Sequence, residues 1–165
     1  VVFASNETSK VNLTKEIAQR HIHPNRLIFA DRYERPEYLA RYRVADLFLD
    51  THPYNAGTTA SDALKMGLPM LTMIGQSYQA RMGASILTSI NLPELITNTP
   101  KEYEALAIEL ATHPEKLKAI KDKLAANLST APLFDTKRFT KNIESAYTQM
   151  YERSQQGLKP DHIYV

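Results

Sequence analysis

Gly57, Thr58 and Thr59 stand where an apolar run gives way to a helix-like segment, in the stretch THPYNAGTTASDALKMGLPML at 51–71. A helix N-terminus presents N–H groups without intrahelical partners and about half a unit of positive charge, so it suits an anion such as phosphate. Gly57 would let the backbone approach a diphosphate closely, and the hydroxyls of Thr58 and Thr59 would add donors. Asp62 is ill suited to phosphate, but its carboxylate can accept hydrogen bonds from ribose hydroxyls. The same residues also have a purely structural reading, with Thr59 as N-cap, Asp62 as a variant capping box and Gly57 as the turn. Spacing alone favours capping, because the motif is not a Walker loop.

A second group lies in DRYERPEYLARYR at 31–43, where Arg32, Arg35, Arg41 and Arg43 alternate with Tyr33, Tyr38 and Tyr42. Such side chains can stack on a base or neutralise phosphate, and they can equally form a solvated helix face. The histidines point less clearly to chemistry. His21 and His23 are two apart at a helix end, off any common helical face, and no adjacent carboxylate completes a metal set. His52 reads as a surface-loop residue. Ser, His and Asp are all present without a nucleophile elbow, so no hydrolase signature is found.

These residues need elements to hold them. Val1–Ala4, RLIFA at 26–30, DLFLD at 46–50, LPMLTM at 68–73 and ELI at 94–96 read as strands. Between them, helical spacing covers Val11–Arg20, Pro36–Val44, Thr58–Met66 and residues 77–90, with Gly67 placed to end the third of these. Strands and helices alternating in this way predict a parallel sheet with a Rossmann-like α/β fold. Both candidate groups then follow strands and open on one edge of the sheet, where ligands of such folds bind. After Pro100 the pattern turns helical: KEYEALAIELATH, PEKLKAIKDKLAANL and DTKRFTKNIESAYTQMYERSQQG, with the tail LKPDHIYV unassigned. The expectation is a single domain over 1–165, with an α/β part at 1–98 and a helical part at 99–165.

Composition narrows the function classes. The chain has 165 residues, 43% of them hydrophobic, and a formal charge of +2 from 20 basic and 18 acidic side chains. That balance predicts neither a nucleic-acid partner nor a polybasic membrane anchor. With no cysteine, disulfide and thiolate chemistry are excluded. No apolar run approaches the roughly 20 residues of a membrane span, and no signal-like N-terminus is seen. A cytoplasmic protein is expected. VVFAS lacks an initiator methionine and reads as a strand already under way, so the expectation is a piece of a longer protein.

Six ordered segments, LFLDTHPYNAGTTASDALKMGLPMLTM, GQSYQARMGASIL, LPELI, EYEALAIELA, PLFDTKRFT and GLKPDH, carry a resemblance. They resemble the C-terminal catalytic half of the O-linked N-acetylglucosaminyltransferase family, especially its bacterial members. The match runs from about Arg26 to His162.

The resemblance implies the C-terminal half of a GT-B glycosyltransferase, with a helical extension. It implies an inverting enzyme that transfers N-acetylglucosamine from UDP-N-acetylglucosamine to Ser or Thr of an acceptor protein, without metal or other cofactor. The family's N-terminal Rossmann domain and upstream tetratricopeptide repeats are not in this sequence. Neither is the first strand of the C-terminal domain, where the family places a glutamine and a lysine against the donor phosphates. Carried over by position, the resemblance puts Thr58 and Thr59 on the diphosphate, where they stabilise the leaving group, and Asp62 on the ribose. Arg35 stands where the family has a base-recognising lysine and Tyr38 where it has a uracil-stacking histidine. Arg41 matches an arginine of that helix, and Tyr33 a position offering backbone groups to the base.

Gly57 replaces a histidine of the animal members and is shared with Spindly-type O-fucosyltransferases, so GDP-fucose stands as an alternative donor. A non-catalytic module that binds proteins through its helical third is the reading from another class. A nucleotide-sugar epimerase fits the fold but not the six segments. As an isolated fragment, the chain is expected to be inactive.

Overall fold

The computed structural model describes residues 6–165. The strand expected at Val1–Ala4 lies outside the described residues. The chain divides into two compact units, Val1–Asp46 and Leu47–Val165.

In the first unit, helix α1 (Glu7–Gln19) begins at Asn6, whose side chain accepts from the Ser9 N–H at 2.8 Å. A 3-10 turn follows at Pro24–Arg26, then α2 (Arg35–Ala40), which runs on into a 3-10 turn at Arg41–Val44. The strand expected at 26–30 is not formed as such. Arg26 belongs to the 3-10 turn, which Pro24 favours at its start, and bridge geometry is confined to Phe29.

The second unit alternates as expected: β1 (Phe48–Leu49), α3 (Thr58–Lys65), β2 (Met70–Met73), α4 (Tyr78–Ser89) and β3 (Ile96–Thr97). The strands form one parallel sheet in the order β1-β2-β3, with Phe48 paired to Met70 and Thr72 to Ile96. Both outer strands are two residues long, yet the ladder extends past them through Phe48 N–H to Pro69 O (2.9 Å), Asp50 N–H to Leu71 O (3.0 Å) and Ile74 N–H to Thr97 O (2.9 Å). Pro69 supplies its carbonyl and needs no donor there.

Helix α3 closes on a Schellman motif. The Gly67 N–H reaches Leu64 O (3.0 Å) and the Leu68 N–H reaches Ala63 O (2.9 Å), with Gly67 at φ +83, a conformation that glycine adopts freely. Three helices complete the unit: α5 (Pro100–Thr112), α6 (Pro114–Asn127) and α7 (Thr136–Gln155). Pro100 and Pro114 open α5 and α6 because a first-turn proline lacks only an N–H that the helix does not use. Thr99 caps α5 from its side chain, and Glu102 returns the bond to the Asn98 N–H.

Ala60, Leu64, Met70, Leu87, Ile90, Leu92, Leu95, Leu110 and Leu124 form the core beneath the sheet's helices. Ala60, Ala63 and Leu64 fall at helical spacing, so one face of α3 is buried while Thr58 and Thr59 stay exposed at its start. No helix among the described residues is long and apolar enough to cross a membrane.

Gly83 brings α4 against the sheet. A Cβ there would lie 2.7 Å from Asp50 Oδ2 and still closer to the Thr72 hydroxyl. Both neighbours are short, buried and bonded to each other, so neither can swing aside. Gly83→Ala should therefore lower stability by about 1–3 kcal/mol through overpacking. A Gly83→Ala/Thr72→Ala double variant should lose less than the sum of the single losses in denaturant titration; strict additivity would rule out the steric cause.

Candidate functional site

The loop 51–57 leaves the carboxyl end of β1 and delivers the chain to the N-terminus of α3, the position where open parallel sheets receive ligands. Gly57 is the N-cap, at φ −107 and ψ −88, and no side chain bonds the helix start. This corrects the capping expectation. Thr58 and Thr59 already lie inside the helix, one and two residues past the N-cap position from which a hydroxyl could cap it, and the Asp62 carboxylate has no N-cap side chain to complement. An added Cβ at Gly57 would meet only Met82 Cγ, at 3.8 Å.

Helix spacing places Asp62 one turn along from Thr58 and Thr59, on their side of α3. Asp62 is buried at 7% exposure, whereas the two threonines are open to solvent. The three thus come together on one element, as the sequence reading required.

The loop itself is held by polar groups that the sequence reading did not single out. Asp50, 6% exposed, accepts at Oδ1 from the N–H of Thr51 (2.9 Å) and of Ala56 (2.8 Å). Its Oδ2 accepts from the Thr72 hydroxyl at 2.6 Å. Asn55, 1% exposed, donates from Nδ2 to Thr51 O (2.8 Å) and accepts at Oδ1 from the Gly83 N–H (3.4 Å). The Tyr103 hydroxyl, carried by α5, donates to Asp50 O at 2.9 Å.

Burial pushes the Asp50 carboxyl above its ordinary value, against the opposing pull of its hydrogen bonds to Thr72, Ala56 and Thr51 and of nearby His52. Burial, and then the Asp50 charge, push the Tyr103 phenol up to about 12, so it remains a donor. Signals for this network existed in the sequence: an aspartate ending an apolar strand, a threonine within LPMLTM and a lone glycine inside a helical pattern.

Tyr33, Arg35, Tyr38 and Arg41 belong to the first unit. The Arg41 guanidinium lies over the Tyr38 ring (4.7 Å to its centroid) and the Tyr33 ring (5.9 Å), and Nη1 donates to Asp31 O at 2.9 Å. Tyr38 meets Tyr42 edge-on, with ring centroids 5.4 Å apart and hydroxyls 2.7 Å apart. Three of the four residues therefore form one cation–aromatic stack. Arg35 is the first residue of α2 and is exposed. The premise that this segment follows a strand fails with the missing strand at 26–30. His52 packs over Gly75, where an added Cβ would lie 2.9 Å from its ring. Among the described residues, no cluster of His, Asp or Glu side chains could hold a metal ion.

Residues 3–143 match the family described as glycosyl transferase family 41. The chain belongs to glycosyltransferase family 41.

Similar proteins include an Arabidopsis thaliana protein described as "Probable UDP-N-acetylglucosamine--peptide N-acetylglucosaminyltransferase SEC", 36% identical over 149 residues. The Caenorhabditis elegans UDP-N-acetylglucosamine–peptide N-acetylglucosaminyltransferase is 32% identical over 152 residues. The alignments cover 90% and 92% of this chain but only 15% and 13% of those relatives, so the chain spans a small part of their length. Among solved structures, a mutant O-GlcNAc transferase of Thermobaculum terrenum superposes with a TM-score of 0.85 at 30% identity, covering 92% of this chain and 29% of that one. The fold of this family 41 chain is accordingly that of the C-terminal catalytic half of a GT-B glycosyltransferase, as its parallel sheet and resemblance led one to expect.

The raised Asp50 carboxyl gives a signed prediction. A folded value above the ordinary 3.8 means that its stabilising share is complete below about 3.8 and is lost as pH rises through the folded value. Thermal melts of the parent protein should therefore show wild type losing ground to Asp50→Asn as pH rises from about 4 to 7. The opposite slope would rule out burial as the dominant cause.

Proposed function

We propose that this chain is the donor-binding part of an inverting protein O-glycosyltransferase, and that its donor is UDP-N-acetylglucosamine. The observation that carries the proposal is the family match together with the exposed pair Thr58 and Thr59 at the uncapped N-terminus of α3. Family relatives described as UDP-N-acetylglucosamine–peptide transferases support the donor and the protein acceptor.

In this reading, 1–165 is a single partial GT-B domain, divided into an α/β part at 1–98 and a helical part at 99–165. The parent supplies the N-terminal Rossmann domain and the tetratricopeptide repeats that select acceptor proteins. It works in the cytoplasm, and this fragment alone is inactive because half the cleft is missing.

An acceptor Ser or Thr hydroxyl attacks the anomeric carbon, and the bond from that carbon to the diphosphate oxygen breaks on the opposite face. Negative charge then builds on the leaving diphosphate. The α3 N–H groups and the hydroxyls of Thr58 and Thr59 stabilise it electrostatically, and Gly57 leaves space beside them. Asp62 accepts from the ribose hydroxyls. Tyr33, Arg35, Tyr38 and Arg41 recognise the base, for which stacked aromatic rings and cations are chemically suited. No covalent intermediate or metal enters. The group that takes the acceptor's proton is not assigned to this chain.

Asp62→Ala, and separately a Thr58→Val/Thr59→Val double change, should each weaken UDP binding by the parent enzyme by about 10- to 100-fold, the range expected for lost hydrogen bonds to charged groups. Isothermal titration measures this; unchanged affinity in both variants would remove the site assignment. Turnover with UDP-N-acetylglucosamine, UDP-glucose and GDP-fucose compared side by side should select the first. Selective turnover of GDP-fucose would instead favour the donor suggested by Gly57.

A further inference from the structure

Asp50 ends β1 held on both sides of its backbone: its N–H donates to Leu71 O at 3.0 Å, and its carbonyl accepts from the Tyr103 hydroxyl at 2.9 Å. From this fixed point, one carboxylate oxygen receives the N–H groups of Thr51 and Ala56, so the two ends of the loop hang on a single atom. Within the loop, Thr51 Oγ1 donates to Tyr54 O (2.6 Å) and Asn55 Nδ2 donates to Thr51 O (2.8 Å), closing the segment on itself. The Thr72 hydroxyl holds the second carboxylate oxygen, and the Gly83 N–H holds Asn55.

A carboxylate is an acceptor only, so it can serve two N–H groups and one O–H at the same time. The N–H groups of Thr51 and Ala56 are thereby turned inward. The first-turn N–H groups of α3, which no side chain caps, are the donors left for a ligand. Ala56 immediately precedes the N-cap, so the direction in which α3 starts is set from Asp50.

We propose that Asp50 is a positioning residue for diphosphate recognition: through the loop 51–56 it aims the N-terminus of α3, without touching the ligand itself. This rests on the reading that Thr58 and Thr59 hold the donor diphosphate. The assignment separates Asp50 from Asp62, whose place is on the same helix as the threonines.

The test is titration of the full-length parent with UDP and with uridine, which lacks the diphosphate. Asp50→Ala should weaken UDP about tenfold or more and leave uridine within about twofold. Asp50→Asn, which keeps an oxygen for Thr51 and Ala56, should restore most of the UDP affinity. Thr72→Val, which removes the hydroxyl under Oδ2 at nearly constant volume, should give a smaller loss of the same kind, and it carries the test if Asp50→Ala does not fold. Wild-type UDP affinity in the folded variants overturns the positioning role and leaves the diphosphate reading standing. Equal losses for UDP and uridine, or failure of Asp50→Asn to restore binding, also overturn it. A wild-type parent that binds UDP no better than uridine overturns the diphosphate reading itself, and the positioning role with it.

Discussion

A buried carboxylate needs its charge answered, and in this chain that requirement organises the sheet end from which the loop 51–57 leaves. Asp50 is answered by two loop N–H groups and a hydroxyl from β2, while its own carbonyl is tied to α5 through Tyr103. Isolated ions of this kind are costly inside a protein, and only a full set of hydrogen bonds makes them tolerable. Each partner is therefore constrained in turn. Thr72 must keep its hydroxyl beneath Asp50, α4 must come close enough for the Gly83 N–H to reach Asn55, and position 83 can then carry no side chain. Strand, loop and three helices are referenced to one group.

How much of this could be read from the sequence follows from the range of the interactions. The helices were legible because their signals are local: Pro100 and Pro114 at first turns, Gly67 at a terminus and apolar spacing at 60, 63 and 64. The Asp50 bonds to Thr72 and Tyr103 span 22 and 53 residues, and no local window contains both partners. The two-residue strands Phe48–Leu49 and Ile96–Thr97 owe their form to β2 between them. RLIFA has much the same apolar character, but Pro24 begins a 3-10 turn that takes in Arg26.

The candidate site divides along the same line. Thr58, Thr59 and Asp62 were found together because helix periodicity places them there, and Arg41 meets the Tyr38 ring because the two are three residues apart along α2 and the turn that continues it. The capping reading, with Thr59 as N-cap, failed by two residues. A threonine can cap from the N-cap position, but the helix begins at Thr58, and Gly57 takes the cap with no side chain to offer.

That start has an energetic meaning. Helices α1, α4, α5 and α7 carry side-chain caps from Asn6, Ser77, Thr99 and Asp135. Helix α3, like α2 and α6, has no side-chain cap, and with glycine as its N-cap it forgoes only roughly a few tenths of a kcal/mol relative to a threonine there. Packing does not explain the glycine, since Met82 Cγ, at 3.8 Å, is the nearest atom an added Cβ would meet. The anchoring that a cap would provide comes instead from Asp50, acting on Ala56 one residue before the N-cap. A helix start held from behind in this way keeps its N–H groups unspent. On the proposed reading those groups answer the charge that builds on a departing diphosphate, where each bond to an ionised oxygen contributes about 1.5–3 kcal/mol, more than the cap that was forgone.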